Sequence, residues 1–246
     1  MNAKVERYVK SSRQARYSLL FALPLLLLYE GMAIALNQSA LAGVRNGADV
    51  LLKTAFVALG GKTGLHLFGL VLAVWGLALV ISDYRKHRGP IRPGYWGIML
   101  AESVVLAAVF GAVAVNLTGL ILSGPLSVVQ GGTLETMPLS AQLVVSLGAG
   151  LYEELLFRVL MVAVFLWAGK KMGLKRTANI ALAIIGSALI FSAFHYVGPY
   201  GDQLTLGSFT FRAVAGVLLS GIYVARGFGI VAWTHAIYDI GYALTW

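Results

Sequence analysis

The sequence predicts an all-α, polytopic transmembrane helical bundle of about seven spans with one interfacial amphipathic helix. Three observations carry this. Of the 246 residues, 59% are hydrophobic and only 12% charged, where a soluble domain runs at about 25% charged. Mean hydropathy is +0.80. The apolar residues also come in long runs, more apolar surface than a water-soluble globule of this length could hide.

A spanning helix needs about 20 mostly apolar residues. Seven runs qualify: Tyr17–Leu36, Leu65–Ile81, Trp96–Leu122, Ala141–Trp167, Ala178–His195, Leu206–Ala225 and Phe228–Thr245. The first ends in Ala33-Ile34-Ala35, which resembles a signal-peptide cleavage site, but its length and Glu30 favour a retained span. Val44–Leu59 carries Arg45, Asp49 and Lys53 among apolar residues and reads as an interfacial helix. An eighth span there would invert everything after it and break the charge pattern. Gly60-Gly61-Lys62-Thr63 lacks the earlier glycine of a phosphate loop, replaced by Phe56, and has no strand before it.

Lys and Arg set the orientation. The N-terminal tail, the second and fourth connections and Arg226 carry fourteen of these residues on one side. Arg45, Lys53, Lys62 and Arg212 make four on the other. The positive-inside rule places the N-terminus in the cytoplasm, and an integral protein of a bacterial inner or plasma membrane is expected. Residues 1–16 form a basic cytoplasmic tail and 17–246 a single transmembrane domain. The +9 net charge is spent on topology and anionic lipid, so no nucleic-acid partner is expected. No cysteine is present, which removes disulfides, thiolate metal ligands and thiol nucleophiles.

Ionisable residues inside spans are expensive and are functional candidates by default. Here they are Glu30, Glu102, Glu153, Glu154, Arg158, His195, His235 and Asp239, with Arg212 near an end. Glu30 and Glu102 read as structural partners of buried polar groups or of Arg212. His66 and His87 read as solvated, and Gly216 with Ser220 as a close helix contact. Glu154 and Arg158 stand at i and i+4 and can pair; Glu153 is turned away without a local partner, which suits a general base. His235 and Asp239 also share a face.

Glu153-Glu154-x-x-x-Arg158, Phe191-x-x-x-His195 and His235-x-x-x-Asp239 resemble the three ordered motifs of the CPBP intramembrane proteases. That family includes the CAAX prenyl endopeptidases of the Rce1 type and bacterial proteins named for abortive infection or bacteriocin self-immunity. The resemblance covers roughly Leu147 to Asp239, within a motif-bearing half of about residues 140–246; the first half contributes only generic spans. It implies hydrolysis of a peptide bond near the C-terminus or membrane segment of a membrane-associated protein or peptide. Glu153 with His195 would activate water, His235 with Asp239 would line the oxyanion side, and Glu154 with Arg158 would support them. The third motif ends in Asp239 where CAAX endopeptidases usually have Asn, so an amide-type oxyanion donor is missing there.

Competing readings are a zinc site formed by Glu153, His195 and His235, a proton-coupled transporter or channel, and a silent immunity or scaffold protein. The His-Glu-x-x-His spacing of zinc proteases is absent, and no cofactor is favoured. One tension is geometric. The spans put His195 near the outer end of its helix and His235 nearer the inner end of its own, so a helix must tilt or break, with Gly198-Pro199 and Gly227-Phe228-Gly229 as the places to do so.

Overall fold

A computed structural model describes residues 2–36, 43–123, 136–198 and 201–245. The described residues form helices joined by short connections, and none is in a strand. A short α1 (Ala3–Ser12) leads into α2 (Ala15–Leu36), α3 (Gly47–Gly60), α4 (Thr63–Lys86) and α5 (Gly94–Leu122). A continuous helical rod then runs from Leu139 to Lys171 in three segments. These are α6 (Leu139–Gly148), a π-helical stretch (Ala149–Met161) and α7 (Val162–Lys171). The fold closes with α8 (Arg176–Phe194), α9 (Leu206–Arg226) and α10 (Phe228–Thr245).

Each of the seven apolar runs forms helix, with ends within a few residues of those expected. Five helices, α2, α4, α5, α8 and α9, are long and apolar enough to cross a membrane. The fourth run differs most from expectation: it is divided by the π stretch, and hydropathy carries no signal for a change of helical register. Large apolar side chains such as Leu70, Leu77, Val105 and Ile121 are exposed on the outer faces, which suits a lipid-facing surface.

The hub is α10, which packs on α2, α5, α6, the π stretch and α9. Close approach of the rod to this hub depends on Gly150, where an added Cβ would lie 2.3 Å from the Ala232 carbonyl oxygen. Gly216 lies close against α8, where a Cβ would sit 3.0 Å from Ala188 Cα. At the opposite end of the bundle, α1 is strapped down by Tyr8, whose hydroxyl donates to Glu102 at 2.6 Å. Burial, and then that carboxylate, push the Tyr8 phenol well above its usual range, so it stays a donor. Arg226 pairs with the same Glu102.

The interfacial reading of Val44–Leu59 needs correction in one respect. Helix α3 turns its charged side inward, burying Asp49 and Lys53, while Leu51 and Leu59 are exposed. The charges are there for protein partners rather than for headgroups.

Candidate active site

The π stretch carries the first motif. Glu154 is fully buried, and its two oxygens are both engaged. One lies 3.2 Å from Arg158 Nε, as the i, i+4 spacing requires. The other accepts from His235 Nδ1 on α10 at 2.7 Å. A carboxylate beside arginine only accepts, so the His235 proton sits on Nδ1. This leaves Nε2 facing Asp239 Oδ2 at 3.5 Å. Glu154 is therefore more than a support for Arg158: it fixes the imidazole of the third motif.

The second motif works through its backbone. His195 caps the C-terminus of α8, and its Nδ1 meets the carbonyl oxygen of Phe191, four residues earlier, at 2.8 Å. A carbonyl cannot donate, so Nδ1 bears the proton and Nε2 is left to face Glu153 Oε2 at 3.9 Å. The Phe191 ring is the shared wall of the site. It meets the His195 ring edge-on at 4.8 Å and the His235 ring at 6.1 Å, and the Arg158 guanidinium lies 4.3 Å over it. The connection after His195 is tied back by the Asp202 N–H, which donates to the His195 carbonyl. Asp202 in turn pairs with Arg212, so Arg212 is the partner of neither Glu30 nor Glu102.

The tension between His195 and His235 resolves without a break in α10. Helix α8 stops at His195, whereas α10 continues past His235 to Thr245. His195, at the end of one helix, and His235, in the middle of the other, both lie against the rod's glutamates.

Glu153 is not without a partner. Its Oε1 accepts a hydrogen bond at 2.8 Å from Nδ2 of Asn46, the N-cap of α3, 107 residues away. Its buried Oε2 takes no hydrogen bond among the described residues. The sequence signal for Asn46 was only that of a helix N-cap, and no spacing rule could bring it to Glu153. Nor is the first half generic. Glu30 meets Lys53 at 2.9 Å and Arg45 at 3.2 Å, and Asp49 meets Lys53 at 2.8 Å and Arg45 at 2.9 Å. Tyr29 donates to Asp49 and Tyr152, next to Glu153, donates to Glu30.

A zinc ion would draw on Glu153, His195 and His235. Among the described residues no three His, Asp or Glu side chains converge as metal ligands. Glu154 is taken by Arg158 and by His235 Nδ1, so it is not available as a further ligand. The buried Arg158 cation next to them disfavours a dication in the same place.

Residues 135–241 match a family model described as Type II CAAX prenyl endopeptidase Rce1-like. That is the family the three motifs resemble. The match runs from α6 into α10 and takes in all seven motif residues, while α1 to α5, Asn46 and the Glu30–Asp49 cluster lie outside it. No curated protein and no solved structure shows significant similarity to this chain. The Rce1-like match lies in the second half of the chain, over the residues that carry the three motifs.

Proposed function

We propose that the protein is an intramembrane endopeptidase that uses Glu153 and His195 to activate water. It cleaves a peptide bond near the C-terminus, or in a membrane segment, of a membrane-associated protein or peptide. The observation that carries this reading is the facing pair of acceptors, Glu153 Oε2 and His195 Nε2, 3.9 Å apart. Each is held from behind, one through Asn46 and the other through the Phe191 carbonyl. A water between them gives one hydrogen bond to each, which aims its lone pair outward at a carbonyl carbon. As the bond forms, Glu153 takes the proton and later returns it to the leaving amine. His235, with a proton on each nitrogen, donates one to Glu154 and offers Nε2–H to the developing oxyanion. Asp239, facing Nε2 at 3.5 Å, orients that ring and is not itself a donor to the oxyanion. No metal is required.

In the same reading the seven spans are α2, α4, α5, the Leu139–Lys171 rod, α8, α9 and α10, with the N-terminus cytoplasmic and α3 inserted beside the rod. A proton relay is less well supported. Glu30 and Glu102, which would continue it, are tied to fixed cations. The link from the Glu30–Asp49 cluster to Glu153 runs through the Asn46 amide, which does not carry protons.

The test is cleavage by the protein reconstituted in liposomes. A panel of prenylated C-terminal peptides and unmodified transmembrane peptides is offered, and products are read by mass spectrometry. A discrete new C-terminus from at least one class is expected. Proton or ion flux without cleavage of any member would replace this reading with the transporter.

A further inference from the structure

Asn46 stands outside the family match and is almost completely buried, at 2% exposure. Its amide is used at both ends. Oδ1 accepts from the Ala48 N–H at 2.8 Å, which caps α3, and Nδ2 donates to Glu153 at 2.8 Å. Its backbone N–H donates to the Tyr29 hydroxyl at 3.2 Å. That hydroxyl donates onward to Asp49, which is clamped by Arg45 and Lys53. The rod admits Asn46 through Gly148, where a Cβ would come within 2.5 Å of Asn46 Cβ and 2.6 Å of the Tyr29 ring.

We infer that Asn46 is a positioning residue for the proposed hydrolysis: it pins Glu153 Oε1 so that Oε2 points at His195. The inference rests on the endopeptidase reading of the site. A glutamate carboxylate rotates freely about its last torsion, whose energy profile is broad and two-fold. No other hydrogen bond among the described residues holds that torsion, since Oε2 has none of its own. The role needs an acceptor for the helix cap and a donor for the carboxylate on one side chain, and Asn offers both with the reach to Glu153. The ionic cluster of the first half then has a purpose. It holds α3 and Tyr29 rigidly, and so holds the amide that aims the base.

Asn46→Asp and Asn46→Ser separate the two duties. Both residues cap a helix as well as Asn or nearly so, but Ser is too short to reach Glu153, and Asp replaces the amide donor with a second carboxylate against Glu153. Asn46→Ser should keep the wild-type melting temperature within a few degrees, whereas Asn46→Asp, which buries a second carboxylate against Glu153, should melt earlier. For both, kcat on the peptide cleaved by wild type should fall by about 10- to 100-fold with KM nearly unchanged, the mark of misplaced catalytic geometry. Asn46→Ala should lose activity similarly and melt earlier, because it also loses the cap. A second readout does not depend on turnover. The Glu153 carboxyl vibration, identified by its loss in the infrared spectrum of Glu153→Gln, should shift in Asn46→Asp and Asn46→Ser. Folded variants with wild-type kcat and an unmoved band would overturn the inference. If wild type cleaved no peptide, the endopeptidase reading would fail by itself, and the infrared band alone would decide whether Asn46 holds Glu153.

Discussion

Two buried polar clusters lie side by side in this bundle, and they differ in charge balance. The cluster of Glu30, Asp49, Arg45 and Lys53 sets two acids against two permanent cations, with each acid in contact with both bases. The motif cluster sets Glu153, Glu154 and Asp239 against Arg158 as its one permanent cation. The remainder is left to two imidazoles, whose charge changes with a proton. The first arrangement is balanced whatever happens nearby, as structure inside a membrane demands. The second is balanced only by moving protons, as acid–base chemistry demands. A charge in a span is therefore not by itself a sign of catalysis; the sign is an acid whose counter-charge is adjustable.

The largest effects should come from breaking either balance by one charge. Glu154→Gln leaves Arg158 buried without its counter-ion and weakens the acceptor for His235 from a carboxylate to an amide oxygen. It should cost about 3 to 5 kcal/mol of stability and reduce cleavage by at least about 10²-fold. Thermal unfolding in detergent and peptide turnover measure the two separately. Asp49→Asn strips the other cluster of half its negative charge and should cost a similar 3 to 5 kcal/mol or so. The protein that remains folded, however, should keep kcat within about ten-fold of wild type, because no group at the water is lost. Equal losses of kcat in the two variants would erase the distinction between the clusters.

A smaller effect tests the seam between them. Gly148→Ala puts a methyl against Asn46 and Tyr29, and should cost about 1 to 3 kcal/mol through overpacking. It should lower kcat more than Asp49→Asn does, since it displaces the amide that holds the base directly. Unchanged turnover with lowered stability would mean that the contact is packing alone.

Much of this site was legible because its local pairs are dictated by one helix each. Glu154 with Arg158, Phe191 with His195, and His235 with Asp239 are all four residues apart, and helical geometry alone makes each pair neighbours. The spans were legible for a similar reason, since an apolar run of sufficient length has one economical fate in lipid. What joins the pairs was not. Glu154 to His235 crosses from the rod to α10, and Asn46 to Glu153 crosses from α3. Such contacts are set by helix packing, through small residues such as Gly148 and Gly150, and leave no periodicity to read. Helix α3 misled for a physical reason too. Arg45, Asp49 and Lys53 look like a solvated face until Glu30, from another helix, supplies the missing charge. The π stretch had no signal either, since its apolar pattern serves either helical form.

The central claim is that hydrolysis depends on the carboxylate of Glu153 and not on a metal. Its most direct test compares wild type and Glu153→Gln on one cleaved peptide, in liposomes, after exhaustive dialysis against a strong chelator and again after zinc is returned. Glu153→Gln keeps the shape of the side chain and should be folded but inactive, a loss of at least about 10³-fold. Wild type should cleave equally well at both stages. Turnover by Glu153→Gln within a few-fold of wild type, or wild-type activity lost on chelation and recovered with zinc, would contradict the account.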